Sequence, residues 1–264
     1  MTKRFSVEMG SAIIDGVEAG TGEPLIFLHA GVADKRMWMP QIEFFSNKYH
    51  TIAYDRRGFG KTKSPDEAFS HLNDLQTIID FKLLPPAILV GCSQGGRIAL
   101  DFALKYPDQV KKLVLISPAI SGQSFPDTFP EPAQTFINEL DVCEDFDRIN
   151  QLEAFLWLDG AVSNPNRVDD TLRNLFLDMN GIALDHPDFN HEIEPDSAME
   201  MLADINVPAL VLWGNLDFPS LGLRCQNLVQ SMKNATGYII EGTAHLPGLE
   251  KPGVVNKLIS EFLR

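Results

Sequence analysis

Short apolar runs recur along the chain and alternate with stretches whose apolar residues follow helical spacing. Five of these runs, at 25–28, 51–54, 87–90, 113–116 and 209–213, are almost continuously apolar. Strands buried on both faces have such runs, because neither face meets water, and this burial is typical of a parallel sheet between helices. The pattern therefore predicts a parallel sheet at the centre of the molecule.

Further strands and helices are predicted outside these five runs. Segments 5–9 and 12–19 alternate between apolar and polar residues and are followed by a turn at Thr21-Gly22, so they predict an antiparallel edge hairpin. Residues 238–240 predict one more strand. Helical spacing is found near 40–47, 71–83, 94–105, 223–233 and 252–263. The alternation of strands and helices predicts an open, doubly wound α/β fold, mostly parallel with an antiparallel N-terminal edge.

The alternation is interrupted between about residues 121 and 200, where no strong strand pattern occurs. This stretch begins with a proline-rich loop that contains Pro126, Pro130 and Pro132. Helical patterns follow near 133–142, 147–158 and 168–180. A structureless loop of this length is uncommon in a compact domain, so we expect a helical insertion at 121–200 within a core formed by 1–120 and 201–264.

The composition narrows the class of protein. Of 264 residues, 44% are hydrophobic and 22% charged, as in a soluble globular protein. The formal net charge of −14 disfavours nucleic acid as a partner, because the phosphate backbone is also negative. No apolar run reaches the roughly 20 residues of a membrane span, and no signal peptide is evident at the N-terminus. Three widely spaced cysteines without a C-x-x-C pattern indicate a reducing, cytoplasmic location.

The most informative motif is Gly91-Cys92-Ser93-Gln94-Gly95, which lies between the predicted strand 87–90 and the predicted helix 94–105. It matches G-x-S-x-G in a strand–turn–helix context, where a nucleophilic serine stands on a sharp turn. The flanking glycines are needed because larger side chains would collide with the strand and the helix. Ser93 is therefore the predicted nucleophile on a nucleophile elbow.

With this motif the chain resembles the α/β-hydrolase fold family over almost its whole length. Four other segments are similar to family motifs: 28–31 to the oxyanion loop, 55–60 to the D-x-R-G-x-G turn, 213–217 to the strand end with the acid, and 242–246 to the histidine loop. Ala30 departs from the family pattern, since many members have glycine there. The order Ser93, Asp217, His245 is that of the family's catalytic triad.

The chemistry assigns a role to each of these residues. His245 would accept the Ser93 proton and return it to the leaving group, and Asp217 would hold the histidine ring in the right tautomer. The backbone N–H groups of Gly31 and Gln94 would bind the oxyanion. Four other acids compete with Asp217 for its role: Asp185, Asp204, Glu241 and Glu250. Asp217 is favoured because it lies just past a buried strand, at the carboxyl edge of the sheet.

Other residues give weaker signals. Trp157 in the insertion, together with His29 and Leu246, is a candidate for the substrate pocket, although packing explains Trp157 equally well. His186 and His191 lie among acidic residues that include Asp188, but their spacing across a proline does not place them on one helical face, so we expect no metal site. No nucleotide motif is complete, and the predicted chemistry needs no cofactor.

The sequence thus predicts a serine hydrolase that cleaves a small carboxylic ester or lactone through an acyl-serine intermediate, with the insertion as a cap. A carbon–carbon bond hydrolase or thioesterase with the same triad, and a non-catalytic small-molecule receptor, remain alternatives.

The uneven distribution of charge adds an expectation about the substrate. Residues 121–200 contain 18 Asp and Glu against 3 Lys and Arg, a net charge of −15, whereas the rest of the chain has +1. A negative roof over the pocket would slow the entry of anions, so we expect an uncharged substrate. The cations available to contradict this are Arg148, Arg167 and Arg173 in the cap, and Arg97 near Ser93. The oligomeric state is not predicted.

Overall fold

An eight-stranded sheet forms the centre of the computed structural model, which describes residues 1–124, 129–186, 191–193 and 195–264. Its strands are β1 (Lys3–Met9), β2 (Ala12–Ala19), β3 (Glu23–Leu28), β4 (Tyr49–Tyr54), β5 (Ala87–Cys92), β6 (Val110–Ile116), β7 (Ala209–Gly214) and β8 (Ala235–Ile240). The strand order is β1-β2-β4-β3-β5-β6-β7-β8. β1 and β2 form an antiparallel hairpin, β2 pairs antiparallel with β4, and the other pairs are parallel. The predicted fold class, including its antiparallel edge, is confirmed.

Helices cover both faces of this sheet. They are α1 (Met39–Phe45), α2 (His71–Phe81), α3 (Gln94–Lys105), α4 (Ala133–Leu140), α5 (Phe146–Glu153), α6 (Asp170–Leu184), α7 (Pro219–Ser231), α8 (Pro247–Glu250) and α9 (Pro252–Phe262). Alternate residues of β3 show why the strands are continuously apolar: Ile26 and Leu28 pack towards α2 and α3, whereas Leu25 and Phe27 pack towards α1 and α9. Burial on both faces therefore accounts for the runs seen in the sequence.

The chain order reverses around β3, because β4 lies on one side of it and β5 on the other. In open α/β sheets, such a reversal opens a crevice at the carboxyl ends of the strands, where sites form. The segments after β3 and β5, which contain Gly31 and Ser93, begin at this crevice.

A long segment joins β6 to β7, and we refer to its residues 117–208 as the inserted segment. It contains α4, α5 and α6, close to the predicted helical patterns, while Pro126 of the predicted loop lies outside the described residues. Asp145 caps α5 through the Arg148 N–H, and Asp169 caps α6.

The predicted helical pattern near 147–158 corresponds to two kinds of helix in the structure. The α-helix ends at Glu153 and continues as a π-helical segment, Ala154–Gly160. Gly160 has φ +110°, and a Cβ there would lie 2.4 Å from the Leu216 carbonyl oxygen. Glycine is therefore required at this position, because a Cβ would collide with the loop after β7.

Among the described residues, no helix is both long enough and apolar enough to cross a membrane.

Candidate active site

Ser93 stands on the turn between β5 and α3 with φ 52° and ψ −116°. This conformation is rare for a residue with a side chain and marks a strained position. Two close approaches explain the glycines of the motif. A Cβ on Gly91 would lie 2.3 Å from the Gly95 oxygen, and a Cβ on Gly95 would lie 2.1 Å from the Leu28 oxygen. The structure therefore has the sharp turn that the motif predicts, with its serine at the crevice.

Asp217 and His245 meet at the same edge of the sheet, after β7 and β8 respectively. His245 Nδ1 lies 2.7 Å from Asp217 Oδ2, and both side chains are buried. The other carboxylate oxygen, Asp217 Oδ1, accepts a hydrogen bond of 2.8 Å from the Phe218 N–H. A carboxylate fixed at both oxygens holds the imidazole with Nδ1–H towards it and leaves Nε2 available for proton transfer.

Two of the competing acids, Glu250 and Glu241, have other partners. Glu250 accepts from the Ala244 N–H at 2.8 Å and pairs with Arg167, and burial raises the pKa of its carboxyl. Glu241 accepts from the Asn215 side chain at 2.6 Å. Neither contact reaches the histidine ring, whereas the Asp217 contact does.

A cavity of about 440 Å³ brings the predicted groups together. Ser93, His245, Gly31 and Gln94 all line it. Gly31 and Gln94 are close neighbours, because a Cβ on Gly31 would lie 3.2 Å from Gln94 Oε1. The two residues whose backbone amides are expected to bind an oxyanion thus line the same cavity as the serine and the histidine.

The inserted segment contributes Trp157 and Glu153 to the lining of this cavity. The Trp157 ring centroid is 4.7 Å from that of His245, and the His245 N–H donates to the Trp157 carbonyl at 3.3 Å. Trp157 therefore lies at the cavity, as the sequence analysis expects of a pocket residue.

The expectation for His29 and Leu246 is not met, since both are fully buried and neither is among the described residues of the cavity wall. His29 supports its loop: its Nδ1–H donates to the Ala30 carbonyl at 2.8 Å, and its Nε2 accepts from the Arg56 N–H at 3.0 Å. Burial lowers the pKa of His29 well below its usual value, consistent with a neutral ring. Leu246 packs in the core on the α1 and α9 face of the sheet.

Arg56 is a residue of this site that sequence reasoning missed. Its Nη1 donates to Gln94 Oε1 at 2.8 Å, and its Nη2 donates to the carbonyls of His29 and Ala30, both at 3.3 Å. The guanidinium also lies 4.5 Å from the centre of the Phe59 ring, which lines the cavity. Arg56 thus ties the oxyanion loop to the turn after the nucleophile. The motif D-x-R-G-x-G leaves this position open, so the sequence contained no signal for it.

Three more polar groups of the cavity wall were also missed: Glu153, Ser117 and Arg224. Asn180 Nδ2 donates to Glu153 at 2.5 Å, and burial raises the pKa of this carboxyl. Arg224 lies on α7, in the core rather than in the inserted segment. A signal existed for it, because Arg224 follows Asp217 by seven residues on the helix that begins at the acid loop.

The four arginines considered from the sequence are held by acids. Arg97 pairs with Glu192 at 2.6 Å, Arg148 with Glu139 at 2.6 Å, Arg173 with Asp159 at 2.5 Å, and Arg167 with Glu250. None is among the described residues that line the cavity. Arg224 does line the cavity, so the assumption that a cation at the pocket must come from these four arginines is wrong.

The histidines near residue 190 have local partners. His186 Nδ1–H donates to the Ile182 carbonyl at 2.8 Å, and His191 Nε2 lies 3.0 Å from Asp66 Oδ1. Asp188 lies outside the described residues. Within the described part of the chain, no group of three or more His, Cys, Asp or Glu side chains is placed to hold a metal ion.

A mostly parallel sheet with a serine on a strained strand-to-helix turn and an aspartate–histidine pair at the same edge defines a class of α/β hydrolases. The family model for the alpha/beta hydrolase fold matches residues 23–252, so the chain belongs to the α/β-hydrolase fold family, as its resemblance indicates.

Similar proteins include several hydrolases. The chain is 28% identical to the 2-hydroxy-6-oxononadienedioate/2-hydroxy-6-oxononatrienedioate hydrolase of Comamonas testosteroni, over 93% of this chain and 89% of that protein. It is 26% identical to the pimeloyl-[acyl-carrier protein] methyl ester esterase of Pectobacterium atrosepticum, over 93% and 96%. A malate-bound thermophilic esterase from Thermogutta terrifontis has the same fold, with a TM-score of 0.80, 22% identity and coverage of 99% and 98%.

Proposed function

We propose that the protein is a serine hydrolase that cleaves a small carboxylic ester or lactone through an acyl-serine intermediate. The observation that carries this proposal is the contact of 2.7 Å between His245 Nδ1 and Asp217 Oδ2, in a cavity shared with Ser93. The kinship with an esterase and a carbon–carbon bond hydrolase supports a hydrolytic enzyme that acts on ester bonds.

The proposed reaction has two steps. His245 Nε2 takes the proton of Ser93 while the serine oxygen attacks the carbonyl carbon, and the resulting oxyanion binds the amides of Gly31 and Gln94. The protonated imidazole, stabilised by Asp217, then gives the proton to the leaving alcohol. In the second step, water repeats the attack on the acyl-serine with His245 again as the base, and the acid is released.

We infer that residues 121–200 of the inserted segment serve as a cap, with these boundaries given by the sequence. Trp157 and Glu153 support this role, since they line the cavity that contains Ser93 and His245. A cavity of about 440 Å³ is in the range of small-molecule sites. The three cysteines are free, which fits a reducing compartment such as the cytoplasm.

Hydrolysis of 4-nitrophenyl acetate by the wild type and by Ser93→Ala, His245→Ala and the double variant tests the proposal. If the residues act as one unit, each single change lowers kcat by a factor on the order of 10⁶, and the double change is little worse. Losses that multiply would contradict the assignment. A folded wild type without any turnover would instead favour a receptor that uses the cavity only for binding.

Carbon–carbon bond hydrolysis is the second candidate, favoured by the similarity to the Comamonas testosteroni enzyme. The same serine, histidine and oxyanion groups serve both reactions. Parallel assays with a 2-hydroxy-6-oxo-diene acid and with 4-nitrophenyl acetate decide between them, through the ratio of the two kcat/KM values.

A further inference from the structure

One aromatic residue of the inserted segment contacts the histidine of the proposed triad directly. The ring centroids of Trp157 and His245 lie 4.7 Å apart, and the two ring planes are tilted by 51°. The Trp157 carbonyl also accepts a hydrogen bond of 3.3 Å from the His245 N–H. Both the side chain and the backbone of Trp157 thus contact the proposed base, although neither contact has a role in the steps of acyl transfer given above.

The Trp157 ring is also packed against the loop that contains the acid. Its centroid is 5.2 Å from that of Phe218, whose backbone N–H donates to Asp217 Oδ1 at 2.8 Å. The Phe218 ring in turn lies 5.2 Å from the Phe129 ring, centroid to centroid. The indole therefore contacts both the histidine and the residue that follows the acid, and this packing fixes its position beside the imidazole.

Phe155, two residues before Trp157, offers a comparison within the same π-helical segment. Its ring stacks on Phe136 of α4 at a centroid distance of 3.9 Å. Phe155 is not among the described residues that line the cavity, whereas Trp157 lines it together with His245. The two aromatic residues thus have different surroundings, since Phe155 packs within the inserted segment and Trp157 packs against the base.

The base changes its charge during the proposed reaction. His245 accepts the Ser93 proton as a neutral ring and becomes an imidazolium in the transition state. Only 2% of the surface of His245 is exposed, so water contributes little to the stability of this charge. The face of an indole is electron-rich and attracts a cation within about 6 Å of its centre, most strongly where water is excluded. The Trp157 ring lies within this range of His245.

The charged and titratable groups around His245 come from the strand ends, from α7 and α8, and from the inserted segment. They are Asp217, Cys92, Glu250, Ser93, Arg224 and Glu153. Asp217, 2.7 Å from the ring, stabilises the imidazolium by its opposite charge. Burial raises the pKa of the Cys92 thiol and of the Glu250 carboxyl. All six groups remain when the Trp157 ring is replaced, so the effect of the ring can be measured by difference.

We propose that Trp157 is a positioning residue, whose indole fixes the orientation of the His245 imidazole and stabilises the imidazolium formed in the transition state. Trp157 itself exchanges no proton, because the proton passes from Ser93 to His245 Nε2 and from there to the leaving group. The inference rests on the proposed function and gives the inserted segment a part in the chemical step, in addition to its part in lining the cavity.

The pH dependence of kcat/KM for 4-nitrophenyl acetate tests this role, because a less stable imidazolium loses its proton at lower pH. Trp157→Leu removes the aromatic ring, and we expect it to lower the midpoint of the rising limb by about one pH unit and kcat by about tenfold. Trp157→Phe, with a weaker π-system, should show a smaller shift in the same direction. The backbone bond from the His245 N–H is available in both variants.

Phe155→Leu is the matched control, because it removes an aromatic ring from the same segment without a change at His245. We expect it to keep the midpoint of the wild type. Since Glu153 also lines the cavity and burial raises its pKa, the midpoint is assigned to His245 by NMR titration of the imidazole ring in each protein. Should Trp157→Leu not fold, the shift of Trp157→Phe decides.

A lower kcat with an unchanged midpoint in the Trp157 variants would mean that the indole only packs against the base, and the inference would be overturned. An equal shift in Phe155→Leu would also overturn it, because the effect would then belong to the segment rather than to the indole.

The NMR titration separates this inference from the proposed function. If the wild type hydrolyses no ester, the proposed function fails, and a lower NMR midpoint of His245 in Trp157→Phe or Trp157→Leu than in the wild type still supports the stabilisation by the indole. If hydrolysis depends on Ser93 but neither the kinetic nor the NMR midpoint responds to Trp157, the hydrolase stands and the positioning role is refuted.

Discussion

Replacement of Arg56 by methionine is expected to lower kcat by 10- to 100-fold while the KM for a small neutral ester changes by less than threefold. Arg56 does not line the cavity within the described residues, yet it donates to Gln94 Oε1 at 2.8 Å and to two carbonyls of the oxyanion loop. Its loss frees the two segments that present the oxyanion amides, so the transition state is affected more than substrate binding.

The magnitude follows from these contacts. A hydrogen bond from a charged donor contributes about 1.5–3 kcal/mol, and every 1.4 kcal/mol that reaches the transition state is a factor of about ten in rate. The shortest contact, to Gln94, thus accounts for 10- to 100-fold. Complete loss of an oxyanion donor costs roughly 10²–10³, which sets the upper limit.

We expect Arg56→Met to change the free energy of unfolding by less than the activation free energy of the reaction. Burial lowers the pKa of Arg56 to about 9, so its buried charge is itself unfavourable for folding. Arg57→Met is the matched control. Arg57 is buried beside Arg56 but donates to Asp74 at 2.9 and 3.2 Å and to Glu67 at 2.9 Å, away from the oxyanion loop.

The assay measures kcat and KM for 4-nitrophenyl acetate together with the melting temperature of each variant. We expect Arg57→Met to lower the melting temperature while its kcat stays near the wild-type value. Arg56→Met should lower kcat, with a smaller change in melting temperature than Arg57→Met. Arg56→Lys should retain part of the rate, since an ammonium can still donate to Gln94. A wild-type kcat in Arg56→Met would refute the positioning role of this residue.

Two further outcomes are expected. Asp217→Asn should lower kcat about 10⁴-fold because the amide favours the wrong tautomer of His245, with KM little changed; a rate near wild type would mean that another carboxylate holds the ring. Glu153→Gln should raise the melting temperature at pH 7–8 and leave it unchanged near pH 4. The folded pKa of Glu153 is raised by burial, so the stability that its neutral form provides below the unfolded pKa is lost as the pH rises through the folded value. An equal effect of Glu153→Gln at both pH values would contradict this reasoning.

The strands and the positions of Ser93, Asp217 and His245 were predictable because each depends on a short stretch of chain. A buried strand reads as a continuous apolar run, and the residue that follows it lies at the carboxyl edge of a parallel sheet. Ser117 obeys the same rule, since it directly follows β6, and attention to every strand end would have found it.

Other features depend on contacts between distant segments. Arg224 on α7 lines the cavity, and the buried Arg56 has its acceptors in three separate segments, at 29–30, 71 and 94. The π-helical segment after Glu153 ends at Gly160, which lies close to the loop after β7. Neither the contacts of Arg56 nor the approach of Gly160 leaves a periodic or local pattern in the sequence, so neither was predictable.

The π-helical segment has a consequence for the modularity of the enzyme. Its Trp157 carbonyl accepts from the His245 N–H, its Gly160 packs against the loop that contains Asp217, and its buried Asp159 holds Arg173 and the backbone N–H of Arg167. The inserted segment is therefore in direct contact with the two loops that contain the acid and the base. A chimera in which only the inserted segment is replaced by that of a relative loses these contacts. A chimera designed to change substrate specificity must therefore transfer residues 154–160 together with the loops at 215–218 and 242–246.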